Sequence, residues 1–301
     1  MTPVLVSRLH EVPDPAAPLL LAIGAFDGLH RGHAEVIRFA QQQGGRTGVL
    51  RFLPHPARIL RPMDAPPLLC TETQIHGLLG TLGVDVHIRL PFDLDFAGRE
   101  PERFLQDLHE ALPGLQGVVV GPDWRFGKSG RGDIHLLREF AQRHHFAVHI
   151  LPDTLWKGER ISSTRIRHAL LAGNLPEATA MLGRPYRLDG VVQPGKQYGR
   201  KLGFPTANFH PEQELMPPGG VYAMRVYGLD RPYIGAGYIT HHPNLVEVHV
   251  LDFAGDLYGR HLEVDLIGFR RPASPILDHE QLQRTIREDV DAIREQLEAR
   301  E

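Results

Sequence analysis

Two histidines, His30 and His33, stand three residues apart in the segment GAFDGLHRGH, between an apolar run and a helix-like pattern. Gly24, Gly28 and Gly32 allow the backbone to turn tightly there. A helix start presents unpaired N–H groups and the positive end of the helix dipole, which together attract an anion. Imidazole donors suit a phosphate that gains charge in a transition state. We therefore predict a phosphate site, whereas the simpler interpretation is a turn with two polar histidines.

A second group of polar residues lies in the segment ISSTRIR. Ser162, Ser163 and Thr164 offer hydroxyl donors at a predicted helix start, and Arg165 and Arg167 offer positive charge. The alternative is a plain helix-capping sequence. Together with the histidine turn, the segment predicts a triphosphate bound between two helix starts. The chemistry indicated is nucleotidyl transfer, in which an oxyanion attacks the α-phosphate and pyrophosphate leaves.

Two common nucleotide-binding motifs are absent. The glycines around His30 are spaced four apart, so the dinucleotide pattern G-x-G-x-x-G is missing. The segment GPDWRFGKS has one residue too many for a P-loop, and it carries Trp124 and Phe126 where a phosphate cradle needs small residues. Its aromatic side chains are better suited to a flat ring ligand.

A third group lies in the segment GRKLGFPTANF. Gly199 and Gly203 permit close approach of the backbone, and Pro205 is typical of a turn. Thr206 and Asn208 place a hydroxyl and an amide oxygen near each other, and Mg²⁺ takes such hard oxygen ligands together with phosphates and water. The alternative interpretation is a β-turn with an ordinary asparagine.

The segment LVEVHVLDF alternates with the period of a β-strand. Its two faces would carry different residues, with Val246, Val248 and Val250 on one and Glu247, His249 and Leu251 on the other. Glu247 is a candidate general base for a substrate hydroxyl. The alternative is a glutamate on a solvent-facing strand.

Predicted elements divide the chain into two parts near residue 185. In residues 1–185, strand-like and helix-like segments alternate, which predicts a parallel sheet with helical crossovers. In residues 186–301, strand-like segments follow one another with turns between them, which predicts an antiparallel barrel or sandwich. The chain closes with a helix, whose apolar stripe contains Leu282, Ile286, Val290, Ile293 and Leu297.

Composition limits the classes of function. The chain has 301 residues, enough for about two domains, and 42% of them are hydrophobic. The net charge of −3 gives no basic field for nucleic acid or an anionic membrane. One cysteine is compatible with a reducing cytoplasm. We see neither a signal peptide nor an apolar stretch of about 20 residues, so we expect a cytoplasmic protein without nucleic-acid or membrane partners.

The motifs resemble, in order and over nearly the whole chain, those of the prokaryotic bifunctional riboflavin kinases and FMN adenylyltransferases, also called FAD synthetases. The matching segments are GAFDGLHRGH, FLPHP, GVDVHIRLPFD, VVVGPDWRFG, ISSTRIR, LGRPY, GRKLGFPTANF, GVYAMRV and EVHVLDFAGDLYG. The resemblance implies a Rossmann-like nucleotidyltransferase domain, followed by an antiparallel β-barrel of riboflavin kinase type with a terminal helix. It also implies two reactions. Riboflavin would be phosphorylated to FMN with ATP, and FMN would be adenylylated to FAD with release of pyrophosphate.

The resemblance also implies roles for individual residues. His30 and His33 would stabilise the transferred α-phosphate, and Glu247 would be the kinase base. ATP and its phosphates would contact a set drawn from three motifs: Gly24, Phe26, Asp27, Gly28, Gly32, Ser162, Ser163, Thr164, Arg167, Gly199, Gly203 and Pro205. The flavin or adenine pocket would be bordered by Phe52, His55, Asp123 and Phe126, and Thr206 and Asn208 would hold Mg²⁺.

Three features depart from the family's usual pattern. Gln74 and His76 occupy a helix that usually carries a lysine, Trp124 replaces a phenylalanine, and the segment YITHHPN differs, with a shorter loop before Glu247. One alternative is therefore an FMN adenylyltransferase with an impaired kinase domain. Adenylyltransferases of coenzyme A or NAD synthesis would explain only the first half. A flavin-binding or RNA-binding module would not need both phosphate sites, and the acidic net charge disfavours RNA.

Overall fold

A computed structural model of the chain describes residues 2–195, 198–241, 244–273 and 278–299. The chain divides into two compact units between Ser162 and Ser163. The functional boundary predicted near residue 185 stays a prediction. Among the helices of the described residues, none has the length and apolar character needed to cross a membrane.

The first unit contains a six-stranded sheet in which all neighbouring strands are parallel, as predicted. Its strands are β1 (Val4–Val6), β2 (Leu19–Ile23), β3 (Arg46–Leu53), β4 (Val86–Pro91), β5 (Leu115–Val120) and β6 (Ala147–Ile150). A separate antiparallel hairpin joins β7 (Leu155–Trp156) to β8 (Glu159–Arg160). All residues of β2 are buried, because it is a central strand with helices packed on the sheet.

Helices connect these strands. They are α1 (Arg31–Gln42), α2 (Pro56–Leu60), α3 (Glu72–Thr81), α4 (Leu94–Ala97), α5 (Pro101–Ala111) and α6 (Ile134–His144). Buried side chains on one face of α5 and α6, including Phe104 and Phe140, pack into an extensive apolar cluster of this unit. On the other face of the sheet, Ile37 of α1 and Ile75 of α3 belong to a second cluster.

The strand order of this sheet is β1-β4-β3-β2-β5-β6, so β2 lies between β3 and β5. The chain therefore leaves β2 in one direction to build one half of the sheet and returns to its other side to build the second half. Ligands of open α/β sheets bind at such a reversal, outside the carboxyl ends of the strands. The segment GAFDGLHRGH follows the carboxyl end of β2 directly, so the topology independently favours a ligand site there.

The second unit contains a six-stranded antiparallel sheet with the order β10-β13-β12-β11-β14-β9. Its strands are β9 (Tyr186–Val191), β10 (Ala207–Phe209), β11 (Gly220–Tyr227), β12 (Tyr233–His241), β13 (Asn244–Val250) and β14 (His261–Pro272). A bridge between Gln193, just after β9, and Asn208 of β10 joins the two ends of the sheet. The barrel expected from the resemblance is therefore formed.

Four helices belong to the second unit in the described residues: α7 (Ser163–Leu171), α8 (Leu175–Leu182), α9 (Tyr198–Lys201) and α10 (His279–Glu298). The terminal helix packs on the barrel, as its apolar stripe predicts, because Ile293 and Leu297 share a buried cluster with Val221 and Ala223 of β11. Farther towards its start, Leu282 and Ile286 line a cavity instead.

The alternation predicted for the β13 segment holds along the strand. The burial of Val246, Val248 and Val250 alternates with the half-exposed Glu247, as period two requires. The strand ends at Val250, and the backbone N–H of Leu251 still donates to the carbonyl of Ile234 in β12 at 2.9 Å. Leu251 thus continues the pairing with β12 by one position, and 2% of its surface is exposed.

Candidate active sites

His30 and His33 lie side by side at the start of α1. His30 is the N-cap residue, and its Nδ1 accepts a hydrogen bond of 3.3 Å from the backbone N–H of His33. The two rings stack with their centroids 3.6 Å apart and their planes 15° from parallel. His30 is buried, with 6% exposed, and His33 also contacts the Phe26 ring at 5.0 Å. The structure thus brings the two predicted histidines together at one helix start.

The turn before α1 holds an unusual backbone. Phe26 and Leu29 have φ values of 49° and 39°, and Gly28 between them has 80°. Left-handed conformations of residues other than glycine cost about 1–3 kcal/mol each and persist only where the surroundings hold them. A Cβ at Gly24 would lie 3.2 Å from the Phe26 ring, and one at Gly32 would lie 3.2 Å from the His30 ring. The turn is therefore both strained and closely packed.

Two contacts from elsewhere in the first unit hold this turn. The carboxylate of Asp27, which is 2% exposed, accepts a 2.9 Å hydrogen bond from the backbone N–H of Leu69. The Nε of Arg51, in β3, donates to the carbonyl of Ala25 at 2.9 Å. Asp27 is predicted among the phosphate residues, and its hydrogen bond with Leu69 supports the turn. Sequence reasoning missed Arg51, although a charged residue inside an apolar strand run was a visible signal.

An aromatic cluster lies beside the carboxyl end of β3. Phe52 and Phe126 each contact Phe104, with ring centroids at 6.3 and 5.9 Å. Trp124 stacks on Phe126 at 4.5 Å, with the planes 21° from parallel. Two of the four predicted flavin residues therefore belong to one cluster, and the tryptophan that departs from the family pattern extends it as a flat aromatic surface.

The other two candidate flavin residues have different contacts. The Nδ1 of His55 accepts from the backbone N–H of Ala57 at 3.2 Å and caps α2. Asp123 is exposed and pairs with Arg160 at 2.7 Å. Arg160 also lies 3.1 Å from Asp153, so this pairing ties the hairpin before ISSTRIR to the loop that carries Asp123.

The segment ISSTRIR forms the start of α7, which begins at Ser163. Ser162 and Ser163 are half-buried, and Thr164 is exposed. Arg165 forms an ion pair with Glu177 of α8 at 3.1 Å, which gives this arginine a structural contact. Arg167 is 7% exposed. Hydroxyl groups at a helix start are present as predicted, and their contact with phosphate stays a prediction.

A cavity of about 700 Å³ opens in the second unit between the barrel and the first half of α10. Thr206, Asn208 and Glu247 all line it. Asn208 of β10 and Glu247 of β13 are direct partners in the antiparallel register, and directly opposed residues have Cβ atoms about 4.5–5.5 Å apart. The register thus explains how two residues 39 positions apart in the sequence come to share one cavity wall.

The segment GRKLGFPTANF contributes several residues to the wall of this cavity. Gly199 lies within α9, and Gly203 follows its end with a φ of 88°. A Cβ at Gly199 would lie 2.5 Å from the carbonyl oxygen of Phe204, so only glycine suits that position. Pro205 accepts a 2.8 Å hydrogen bond on its carbonyl from Nδ1 of His249. Sequence reasoning missed the role of His249, although the alternation already placed it on the face of Glu247.

The donors around Asn208 suit a hard cation. The Nδ2 of Asn208 donates to the Thr206 carbonyl at 3.1 Å and lies 3.4 Å from its hydroxyl. This contact fixes which end of the amide faces Thr206. A Cβ at Gly195 would lie 2.7 to 2.9 Å from the amide atoms of Asn208, so any side chain at position 195 would collide with the Asn208 amide. A hydroxyl, an amide oxygen and the nearby carboxylate of Glu247 form an oxygen donor set that matches the preference of Mg²⁺.

Further residues of the cavity wall were not predicted. Tyr238 of β12 pairs in register with Glu247 on the side opposite Asn208. Arg271 of β14 binds Asp289 of α10 through Nε at 3.0 Å and Nη2 at 2.8 Å. The ion pair joins the barrel to the terminal helix where both line the cavity. Contacts between distant elements leave no local signal in the sequence.

Two of the residues that depart from the family pattern, Gln74 and His76, lie in α3. Gln74 completes a capping box with Thr71, through hydrogen bonds of 3.1 and 3.2 Å. Nδ1 of His76 lies 3.2 Å from Nδ1 of His87 in β4. Burial, followed by the charge of Arg51, lowers the pKa of His87 to about 3, so this ring is neutral at physiological pH. In YITHHPN, residues 242 and 243 lie outside the described part of the chain.

Two family models match the chain. The model described as FAD synthetase matches residues 13–165, and the model described as riboflavin kinase matches residues 182–297. The two matches follow the order of the two sites described above. Most of α7 and of α8 lies in the segment between the two matches. The alternative of an impaired kinase domain finds no support in them.

Relatives with assigned functions match most of the chain. The bifunctional riboflavin kinase/FMN adenylyltransferase of Escherichia coli K12 is 35% identical over 87% of this chain and 88% of its own length. The protein of the same name from Pseudomonas fluorescens is 32% identical over 96% of each chain. A crystal structure titled macrolide-efflux protein from Streptococcus pneumoniae superposes with a TM-score of 0.87 at 27% identity, over 98% of this chain and 99% of that one.

Proposed function

Since the chain belongs to the family of bifunctional riboflavin kinases/FMN adenylyltransferases, we propose which of its residues carry out each reaction. The enzyme phosphorylates riboflavin to FMN with ATP, and it transfers AMP from ATP to FMN to give FAD and pyrophosphate. In our assignment the residues from about 186 onward perform the first reaction, which the start of the riboflavin kinase match at residue 182 supports.

For AMP transfer, His30 and His33 bind the α-phosphate at the start of α1. A phosphate oxygen of FMN attacks the α-phosphorus, the bond to the bridging oxygen breaks, and pyrophosphate leaves. Because Nδ1 of His30 accepts from the His33 N–H, a neutral His30 ring carries its proton on Nε2. That Nε2–H is the donor for the phosphate oxygen that gains charge. The dipole of α1 and the backbone N–H groups of its first turn add to the same stabilisation.

Gly24, Phe26, Asp27, Gly28 and Gly32 shape the turn that receives the triphosphate. The side chains of Ser162, Ser163, Thr164 and Arg167 bind the outer phosphates, which the position of the hydroxyl residues at the start of α7 supports. Phe52 and Phe126 border the flavin ring, together with His55 and Asp123. The aromatic cluster around Phe104 supports this assignment because flat rings stack favourably on aromatic side chains.

For the kinase reaction, Glu247 accepts the proton of the ribityl hydroxyl while the oxygen of that hydroxyl attacks the γ-phosphorus of ATP. The bond from the γ-phosphorus to the bridging oxygen breaks, and ADP leaves. Gly199, Gly203 and Pro205 surround the ATP phosphates. Thr206 and Asn208 are the protein ligands proposed for Mg²⁺, which when bound would neutralise phosphate charge. This assignment rests on the finding that Asn208 and Glu247 lie opposite each other on adjacent strands and line the same cavity.

In this proposal the enzyme acts in the cytoplasm, and its partners are the small molecules riboflavin, FMN and ATP. A net charge of −3 disfavours a nucleic-acid partner, and a single cysteine suits a reducing compartment.

Reciprocal variants test the two sites. Purified protein is incubated with ATP, Mg²⁺ and either riboflavin or FMN, and the flavins are separated by chromatography. We expect Glu247→Gln to abolish FMN formation while FAD still forms from supplied FMN, and His30→Ala to do the reverse. Loss of both reactions in either variant would contradict two independent sites, and normal FAD synthesis by His30→Ala would refute the role of that histidine.

A further inference from the structure

The strained turn of GAFDGLHRGH depends on a contact that lies outside its own segment. The carbonyl of Ala25, two residues beyond the end of β2, accepts a hydrogen bond of 2.9 Å from Nε of Arg51. Arg51 comes from β3, which is the neighbouring strand. Its side chain is 5% exposed, so the guanidinium is a buried cation within the sheet of the first unit.

Glu72 accepts hydrogen bonds from two further donors of that guanidinium. Its two carboxylate oxygens accept from Nη1 and Nη2 of Arg51 at 3.0 and 3.1 Å. A bidentate pair of this kind fixes the plane of the guanidinium and therefore the direction of Nε. Glu72 is in turn held at the first turn of α3, which the capping box of Thr71 and Gln74 stabilises. Glu72, held in place by α3, therefore fixes the orientation of the Arg51 guanidinium and the direction of its hydrogen bond to the Ala25 carbonyl.

The same short segment supplies the second support of the turn, because the backbone N–H of Leu69 donates to Asp27. Leu69 directly, and Glu72 through Arg51, therefore support the turn on either side of Phe26, whose φ of 49° needs such restraint. The turn leads directly into His30. A displacement of its backbone would move the N-cap imidazole, and a shift of about 1 Å in a catalytic group can cost about 100-fold in rate.

We infer that Arg51 is a positioning residue for AMP transfer, acting with Glu72 through Ala25 on the placement of His30 and His33. This role rests on the proposed function of those two histidines. Arg51 itself does not touch the substrates. The ion pair would then be required for the geometry of the phosphate turn, beyond any contribution to the stability of the fold.

The test compares Arg51→Leu, Glu72→Leu and the double variant. Arg46→Leu is the matched control, because Arg46 lies at the opposite end of β3 and also donates to backbone carbonyls, those of Pro13 and Asp14. For each protein, kcat and KM for FAD formation are measured, with FMN formation from riboflavin by the same preparation as the internal control and the melting temperature as the measure of folding.

We expect Arg51→Leu to lower kcat for FAD formation by about 10- to 100-fold, with FMN formation unchanged. Glu72→Leu leaves the buried charge of Arg51 without its carboxylate and should melt earlier, and the double variant should recover most of that loss in melting temperature. After Arg51→Leu, Glu72 is 26% exposed and keeps an ion pair of 3.7 Å with Arg89, so the melting temperature of this variant should fall less. A purely structural role predicts that kcat recovers with the melting temperature in the double variant. A positioning role predicts that kcat stays low.

A double variant with the same kcat for FAD formation as Arg46→Leu would overturn the inference. Failure of the proposed function would look different, because His30→Ala would then form FAD normally whatever the Arg51 variants do. If Arg51→Leu does not fold, the melting measurement shows it, and the double variant decides.

Discussion

Replacement of Gly195 by alanine should disable the kinase reaction by displacing Asn208. A Cβ at this position would lie 2.7 Å from Cγ, 2.8 Å from Nδ2 and 2.9 Å from Oδ1 of Asn208. Ordinary van der Waals contact begins near 3.4 Å, so the amide must move by roughly 0.7 Å or the backbone must yield. The movement would also break the hydrogen bond from Asn208 to the Thr206 carbonyl.

The size of the effect follows from that displacement. A misplacement of about 1 Å costs about 100-fold in rate, so we expect kcat for FMN formation to fall by roughly 30- to 100-fold. This corresponds to about 2 to 2.7 kcal/mol of activation free energy. If Asn208 holds Mg²⁺ as proposed, the Mg²⁺ concentration needed for half-maximal rate should rise at the same time.

The assay follows FMN formation from riboflavin at a series of Mg²⁺ concentrations, and it follows FAD formation from supplied FMN in the same preparation. FAD formation should be unchanged, since Gly195 lies in the second unit. Gly77→Ala is the control for the substitution itself, because a Cβ there meets nothing within 4 Å. Wild-type kcat and Mg²⁺ dependence in Gly195→Ala would refute the reasoning, since the backbone would then have yielded without consequence for Asn208.

Three further predictions concern stability. The pKa of His87 is about 3 in the folded chain against 6.5 ordinarily, so only the unfolded chain takes up this proton as the pH falls below 6.5. Between pH 6.5 and 5 the free energy of unfolding of the wild type should therefore fall by about 1.6 kcal/mol more than that of His87→Leu. Urea unfolding followed by tryptophan fluorescence measures this, and equal losses would contradict it. Gly77→Ala should raise the stability of α3 by about 0.5–1 kcal/mol, and an unchanged urea midpoint would count against a well-formed helix. Ile293→Ala should cost about 2–5 kcal/mol and inactivate FMN formation at a lower temperature than FAD formation, whereas joint inactivation would contradict separate unfolding of the two units.

Much of the fold was predictable because its strands are apolar runs with distinct periods. The buried run LLLAI predicted β2, and the alternation around Glu247 predicted β13. Short strands were missed, and for two of them the physical reason is clear. β1 has three residues at the edge of its sheet, too few to establish a period. β10 follows directly on the glycine- and proline-containing segment GFPT, where turn signals dominate and only pairing with β13 creates the strand.

The candidate sites were predictable only as far as their residues are close in sequence or share a motif. His30 and His33 were identified together because three positions separate them. Arg51 and Glu72, 21 positions apart, form their ion pair only because β3 and the start of α3 converge beside β2. The pairing of Arg271 with Asp289 similarly needs the terminal helix to return to the barrel.

The register of three adjacent strands places Asn208, Glu247 and Tyr238 in one row across the barrel wall. A single-residue insertion or deletion within β13 before Glu247 would bring a neighbouring valine into that row and turn the carboxylate towards the core. Length changes in this part of the chain are therefore tolerable only outside the strand. During divergence or engineering, loops that join β13 to its neighbours can lengthen or shorten, while the number of residues inside the strand must stay fixed for the row to survive.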